Sequence, residues 1–100
     1  MALYHGGVIQ DFRCLETEKI WKGKSSRRLP ADVQRVSLRK LTQLSAAEVL
    51  NDLRAPPGNR LEALKGGLAG RHSIRINDQW RICFVWKDGH AHEVEIVDYH

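Results

Sequence analysis

Residues 72–86 read HSIRINDQWRICFVW, and this stretch decides the fold. Apolar and polar side chains alternate along it on both sides of the turn former Asn77-Asp78-Gln79. Such alternation is typical of two antiparallel strands with one buried face. The apolar face carries Ile74, Ile76, Trp80, Ile82, Phe84 and Trp86, and the opposite face carries Arg71, Arg75 and Arg81.

Two more strands extend this prediction. The pair Asp88-Gly89 favours a tight hairpin turn, and a strand from Glu93 to Val97 follows it. A short strand is also predicted from Val8 to Phe12.

Helices are predicted between the first strand and a break at Ala55-Pro56-Pro57-Gly58. The first runs from Leu15 to Trp21 and stops near Gly23, and the second opens with Pro30 in its first turn. The second has an apolar stripe of Val33, Val36, Leu41 and Leu44, with Arg35, Arg39 and Lys40 on its other face. Ser45 and Glu48 form a capping box for a third, short helix.

Helices followed by an antiparallel meander predict an α+β domain, with N-terminal helices packed on one face of a small, mainly antiparallel sheet. The 100 residues suit one domain spanning residues 1–100. Apolar residues are 42% and charged residues 28% of the chain, which is ordinary for a globular protein. We expect a cytoplasmic protein with no membrane contact, because no apolar run reaches the roughly 20 residues of a bilayer span and no signal peptide opens the chain.

Cysteine and histidine give no support for a metal or another cofactor. Cys83 lies in an apolar run and is predicted to be a small buried residue, and no Cys-x-x-Cys pair exists. His90 and His92 resemble a metal pair but lack a third ligand. We therefore predict no metal site and no cofactor.

Basic residues are concentrated in two blocks of a chain with net charge +4. One runs from Lys19 to Arg28 without an acidic residue, and the other runs from Arg54 to Arg81. Such blocks attract phosphate backbones, although each is equally typical of a solvated surface. In the first block, Lys22 and Lys24 are candidate contacts to such a phosphate backbone.

The residue types also permit RNA cleavage. The 2′-hydroxyl of RNA is a built-in nucleophile, so cleavage needs a proton acceptor, a proton donor and cations near the phosphate. Lys65, Arg71, Arg75 and Arg81 are candidate cations, and His100 is a candidate acid or base. Asp98 and Tyr99 can orient His100 or the RNA, and Tyr99 can stack on a base.

Three stretches together resemble the HigB branch of the RelE/ParE toxin superfamily: PGNRLEALKG at 57–66, SIRINDQWRICF at 73–84 and VDYH at 97–100. The resemblance implies a toxin that cleaves mRNA in the ribosomal A site without a metal. It also implies a helix-turn-helix antitoxin, HigA, that neutralises the toxin and is its only link to operator DNA. By position, Arg81 matches the phosphate-contacting arginine of the family, Asp98, Tyr99 and His100 match its C-terminal catalytic group, and Lys65 lies in its Leu-x-x-Leu-Lys-Gly motif.

The chain departs from the family pattern at three places. Many HigB proteins have a catalytic His-Pro where this chain has Glu62-Ala63, so either Glu62 is the general base or the site works with less catalytic power. His72 is a weaker substitute, because the alternation turns it towards the helices. Residues 1–7 extend beyond the usual start of such toxins and are expected to be a disordered extension.

The C-terminal strand raises a geometric question. With strict alternation, Val94, Ile96, Asp98 and His100 share the core face. His100 can join Arg81 only if the strand ends or bulges near Asp98.

Two other functions remain open. One is a ParE-like inhibitor of DNA gyrase, which shares the fold but lacks nuclease chemistry; the Asp98-Tyr99-His100 ending favours the nuclease. The other is a non-catalytic nucleic-acid-binding or regulatory module, whose activity would fall steeply with salt and survive loss of His100.

Overall fold

The computed structural model describes residues 7–68 and 70–98. Two helices cover one face of a four-stranded antiparallel sheet, so the predicted α+β architecture is confirmed. The strands lie in chain order, β1-β2-β3-β4. The elements are α1 (Leu15–Trp21), α2 (Ala31–Ala46), β1 (Glu62–Ala63), β2 (Arg71–Arg75), β3 (Trp80–Lys87) and β4 (His90–Asp98), with 3₁₀ turns at Leu50–Arg54, Pro57–Asn59 and Gly66–Leu68.

Helix α1 has the predicted bounds and ends before Gly23, whose φ of 81° suits a glycine. Its buried residues are Thr17 and Ile20. The Thr17 hydroxyl accepts a hydrogen bond from the Ile96 backbone N–H at 2.9 Å, which ties α1 to β4.

Helix α2 buries Val33, Leu41 and Leu44 as predicted, while Val36 is half-buried. The prediction that Lys40 faces solvent is wrong, because its side chain enters the protein and bonds to Asn59. Lys40 lies four residues after Val36 and four before Leu44, so helical spacing places it within the apolar stripe rather than on the other face.

The predicted capping box of Ser45 and Glu48 is also wrong. Ser45 continues α2, where its hydroxyl donates to the Thr42 carbonyl at 2.8 Å. The carboxylate of Asp52 caps the following 3₁₀ turn instead, accepting from the backbone N–H groups of Glu48 and Val49 at 2.9 and 3.2 Å.

The sheet has the predicted faces. Ile74, Ile82 and Ile96 lie in one cross-strand row on the helix-covered face, and Phe84 and Val94 are fully buried beside them. Burying each such side chain stabilises the fold by about 1.5–3 kcal/mol. Trp80 and Trp86 are half-buried and pack against this core.

Both predicted turns form. The Asn77 side-chain oxygen accepts from the backbone N–H groups of Gln79 and Trp80, each at 2.8 Å. Asp88 and Gly89 have φ values of 54° and 77°, the backbone of a tight hairpin turn.

The strand predicted from Val8 to Phe12 forms only two isolated bridges, Ile9 with Ala91 and Phe12 with Val94, both parallel to β4. A bulge in β4 explains this. The pairs Cys83–Glu95 and Val85–His92 leave Glu93 and Val94 opposite Phe84. The Glu93 backbone N–H bonds to the Asp11 side chain at 2.6 Å, and this interrupts a regular ladder.

Among the described residues, neither helix has the length and apolar character needed to cross a bilayer.

Candidate active site

Arg81 is the centre of the sheet face that the helices leave uncovered. It lies on β3 between Arg75 and Val97 of the neighbouring strands. Its Nε donates to the Ser73 hydroxyl at 2.8 Å, and its Nη2 donates to the Arg60 backbone carbonyl at 2.7 Å. The side chain is only 11% exposed, so these bonds hold the guanidinium in one orientation.

Glu62 lies next to this arginine. It is on β1 opposite Ser73, and its Oε1 lies 3.9 Å from Arg81 Nη2. The Glu62 side chain is 50% exposed, whereas that of Arg81 is mostly covered. The structure therefore brings together two predicted site residues, a fixed cation and an accessible carboxylate.

The Arg60 carbonyl and the Ser73 hydroxyl are site groups that the sequence analysis missed. Arg60 has φ 44° and follows the 3₁₀ turn Pro57–Asn59, and its carbonyl accepts from Arg81. Ser73 is fully buried and alternates onto the same face as Arg71 and Arg75. That alternation is visible in the sequence and was the only available signal for Ser73.

Arg71 is engaged within the protein. Its Nη2 donates to Glu93 Oε1 at 2.8 Å, and its side chain is 11% exposed. Its Nη1 is buried and has no hydrogen-bond partner in the part of the chain that the structure describes. Glu93 reaches Arg71 from the bulge, where its φ is 51°.

Cys83 is buried as predicted, on the uncovered face of the sheet. Burial raises the pKa of its thiol. The Glu95 carboxylate raises that pKa further, and Arg81 and Arg71 oppose the shift. The charges around Cys83 are thus of both signs, and the face is mixed rather than purely cationic.

Arg75 and Lys65 lie at the rim of the face. Arg75 pairs with the Asp78 carboxylate in the neighbouring turn, and its side chain is 31% exposed. Lys65 is exposed between β1 and the 3₁₀ turn Gly66–Leu68.

Lys22 and Lys24 follow the end of α1 and lie on the helix side of the sheet, whereas Arg81 lies on the other side. Both are exposed, and Lys22 Nζ lies 3.6 Å from Glu18 Oε2. Lys24 lines a hollow of about 250 Å³ between α1 and α2, together with Arg35 and Leu38.

By strand alternation the Asp98 side chain points to the opposite face of the sheet from that of Arg81, whose partner on β4 is Val97. Asp98 pairs with Trp80 at the end of β4 and accepts from Gln79 Nε2 at 3.2 Å. The bulge in the described part of β4 lies earlier, at Glu93, and the end or bulge near Asp98 that His100 requires to join Arg81 stays a prediction. Tyr99 and His100 lie outside the described residues, so their place beside Arg81 stays a prediction.

His72 faces the helices, as expected. It pairs with Phe84, and the two rings stack with centroids 6.2 Å apart. It therefore lies on the opposite face from Arg81 and takes no part in the cluster there. Across residues 7–68 and 70–98, no three or more His, Cys, Asp or Glu residues are grouped to hold a metal ion.

The Arg81–Glu62 pair has a definite chemical capacity. A guanidinium that is held by hydrogen bonds to acceptors of the protein presents a positive charge at a fixed position. Such a charge stabilises negative charge that develops on a phosphate. A neighbouring carboxylate within reach of solvent can accept a proton.

Comparison with known proteins decides the family. The profile of the HigB-like toxin family, described as RelE-like toxin of type II toxin-antitoxin system HigB, matches residues 10–100. The chain belongs to this family. Toxin HigB-1 of Vibrio cholerae is 48% identical over 68 residues, which are 68% of this chain and 72% of that one. An uncharacterized protein of Haemophilus influenzae is 35% identical over 72 residues, 72% of this chain and 71% of its own.

Solved structures agree on the fold of this HigB-like toxin. The YoeB-YefM complex from Staphylococcus aureus matches with a TM-score of 0.58 at 21% identity, covering 100% of this chain and 99% of that chain. YafQ from E. coli matches with a TM-score of 0.58 at 13% identity, covering 90% of each chain. At such identities the likeness extends to the fold alone.

Proposed function

We propose that this HigB-like toxin is an endoribonuclease that cleaves mRNA on the ribosome and so stops translation in the cytoplasm. Membership of the toxin family supports the class of activity. The observation that carries the proposal is the contact between Arg81 Nη2 and Glu62 Oε1 at 3.9 Å on the uncovered face. Arg81 supplies the cation that stabilises negative charge on the phosphate, and Glu62 supplies the base that removes a proton.

The proposed reaction uses the RNA's own nucleophile. Glu62 takes the proton from a ribose 2′-hydroxyl, and the 2′ oxygen attacks the adjacent phosphorus. The bond from phosphorus to the 5′ oxygen breaks, His100 supplies a proton to that oxygen, and a 2′,3′-cyclic phosphate remains. No metal is needed for any of these steps.

Arg81 stabilises the negative charge that spreads over the phosphate. Hydrogen bonds to Ser73 and to the Arg60 carbonyl orient the guanidinium before RNA binds. A preoriented donor of this kind contributes about 2.7–4 kcal/mol to transition-state stabilisation. Further contacts to RNA or the ribosome would come from Lys65, Arg75, Lys22 and Lys24. Arg71 contributes less, because its guanidinium is paired with Glu93.

The proposed partner is an antitoxin of the HigA type. The family description names a toxin-antitoxin system. A helix-turn-helix antitoxin would neutralise the toxin by binding and would account for any association with operator DNA.

Primer extension in a reconstituted translation reaction tests the activity. Wild type should produce mRNA cuts at codon boundaries only when ribosomes are present, and Arg81→Ala and Glu62→Gln should reduce them. Arg35→Ala is the matched control, because Arg35 is an exposed arginine on α2. Absence of cuts by wild type would refute the proposal, and DNA breaks without RNA cuts would indicate gyrase as the target.

A further inference from the structure

A buried polar pair lies behind the candidate active site. Lys40 of α2 and Asn59 of the second 3₁₀ turn are 7% and 0% exposed. Lys40 Nζ donates to the Asn59 side-chain oxygen. The Asn59 amide nitrogen donates in turn to the backbone carbonyls of Leu53 and Ala55, at 3.1 and 3.2 Å.

Lys40 is a costly residue at this position. Burial lowers the pKa of its ammonium group, and the positive charges of Arg39 and Arg75 act in the same direction. Its hydrogen-bond partner Asn59 is neutral. Since a buried cation without a carboxylate partner does not favour folding by its charge, a geometric role explains Lys40 better than charge pairing.

The pair is one residue from the site. Asn59 precedes Arg60, whose left-handed φ of 44° is uncommon for a residue with a side chain. The Arg60 carbonyl accepts from Arg81 Nη2 at 2.7 Å, and β1 with Glu62 begins two residues later. Three hydrogen bonds to Asn59 therefore fix the backbone from which both Arg81 and Glu62 are aligned.

We propose that Asn59, held by Lys40, is a positioning residue that sets the Arg60 carbonyl and hence the orientation of Arg81. Its effect on cleavage rests on the proposed function, whereas its effect on Arg81 does not. Asn59 touches no reacting group and acts through the backbone of its neighbour.

Two readouts on Asn59→Ala test this inference. In protein labelled with ¹⁵N-arginine, the Nε–H resonance of Arg81, assigned with Arg81→Lys, should shift or broaden while that of Arg71 stays in place. On mRNA-programmed ribosomes, the single-turnover cleavage rate should fall on the order of 10²-fold, as for a misplaced catalytic group, with the half-saturating ribosome concentration unchanged.

Leu44→Ala is the control for destabilisation alone, because Leu44 is a fully buried core residue of α2. It should lower the melting temperature and leave the Arg81 resonance and the rate of the folded protein as in wild type. If Asn59→Ala does not fold, Lys40→Met, which keeps the Asn59 amide donors, is measured in the same way.

An unshifted Arg81 resonance in the folded variant overturns the inference, as does a rate loss no larger than that of Leu44→Ala. If wild type cleaves no mRNA, the proposed function fails, and the Arg81 resonance alone decides whether Asn59 positions Arg81.

Discussion

The guanidinium of Arg81 donates to the backbone carbonyl of Arg60 at 2.7 Å. This bond joins the central hairpin to the loop that precedes β1, and Glu62 on β1 lies 3.9 Å from the same nitrogen. An arginine on one strand and a carboxylate on another are thus brought together by a main-chain group rather than by sequence proximity.

Arg81→Lys should reduce cleavage almost as much as Arg81→Ala. A lysine retains the charge but cannot donate to Ser73 and Arg60 in the fixed fork of a guanidinium. We expect cleavage to fall by about 10²–10³-fold, the loss for one missing oxyanion donor. The rate on programmed ribosomes measures this, with Arg35→Lys as the control. Full activity of Arg81→Lys would mean that only the charge matters.

Ser73→Ala and Ser37→Ala form a matched pair of buried serines. Ser73 accepts from Arg81 Nε, whereas the Ser37 hydroxyl has no hydrogen-bond partner within the described ranges. Ser73→Ala should cost about 1–3 kcal/mol, because it leaves a charged donor short of an acceptor. Ser37→Ala should be neutral or stabilising. Urea unfolding measures both, and equal losses would contradict the assigned Ser73–Arg81 bond.

Because of buried Lys40, the free energy of unfolding depends on pH in the alkaline range. Its pKa is lowered in the folded protein, mainly by burial, so above that pKa the unfolded chain binds more protons than the folded one. Stability conferred through this group therefore rises with pH, from the folded pKa up to the ordinary lysine value of 10.5. The difference in unfolding free energy between wild type and Lys40→Met should grow in favour of wild type over that interval. A difference independent of pH would show that Lys40 is solvated.

Glu16 gives a dependence of the same sign in the acid range. A hydrogen bond from the Ser26 hydroxyl at 2.6 Å, followed by one from Lys19, lowers the pKa of its carboxyl below 4.5. The stability it confers is present above pH 4.5 and is lost as pH falls through the folded pKa. Thermal melts between about pH 3 and 6 should show a smaller acid loss in Glu16→Gln, whereas the same loss in both proteins would exclude this role.

Local patterns predict much of this fold. The alternation in residues 72–86 predicts both strands and their buried side chains. It also predicts the uncovered face with Arg71, Arg75 and Arg81, because successive side chains of a strand point to opposite faces of the sheet. The end of helix α1 is equally local, because Gly23 with its φ of 81° follows it.

Other features depend on distant residues and have no local pattern. Strand β1 is only two residues long, and its pairing partner lies on β2. The hydrogen-bond partner of buried Lys40 is Asn59, 19 residues away. The bulge at Glu93 is held by the side chain of Asp11, 82 residues away, and no glycine marks it.

The candidate site divides in the same way. Arg81 and Glu62 were predicted as individual residues, and the structure supplies their contact. The Arg60 carbonyl could not be predicted, because a main-chain acceptor has no residue type to reveal it. The stretch around Glu62-Ala63 resembles the family motif but departs from its His-Pro, and the placement of Glu62 beside Arg81 depends on the backbone at Asn59 and Arg60.

The most direct measurement compares two mRNAs on programmed ribosomes, identical except for one 2′-deoxynucleotide at the position that wild type cleaves. If Glu62 and Arg81 act on the ribose 2′-hydroxyl and its phosphate, wild type will cut the all-ribose mRNA and leave a 2′,3′-cyclic phosphate, while the deoxy-substituted mRNA stays intact. Equal cutting of both mRNAs would contradict the account, because the 2′-hydroxyl would then not be the nucleophile.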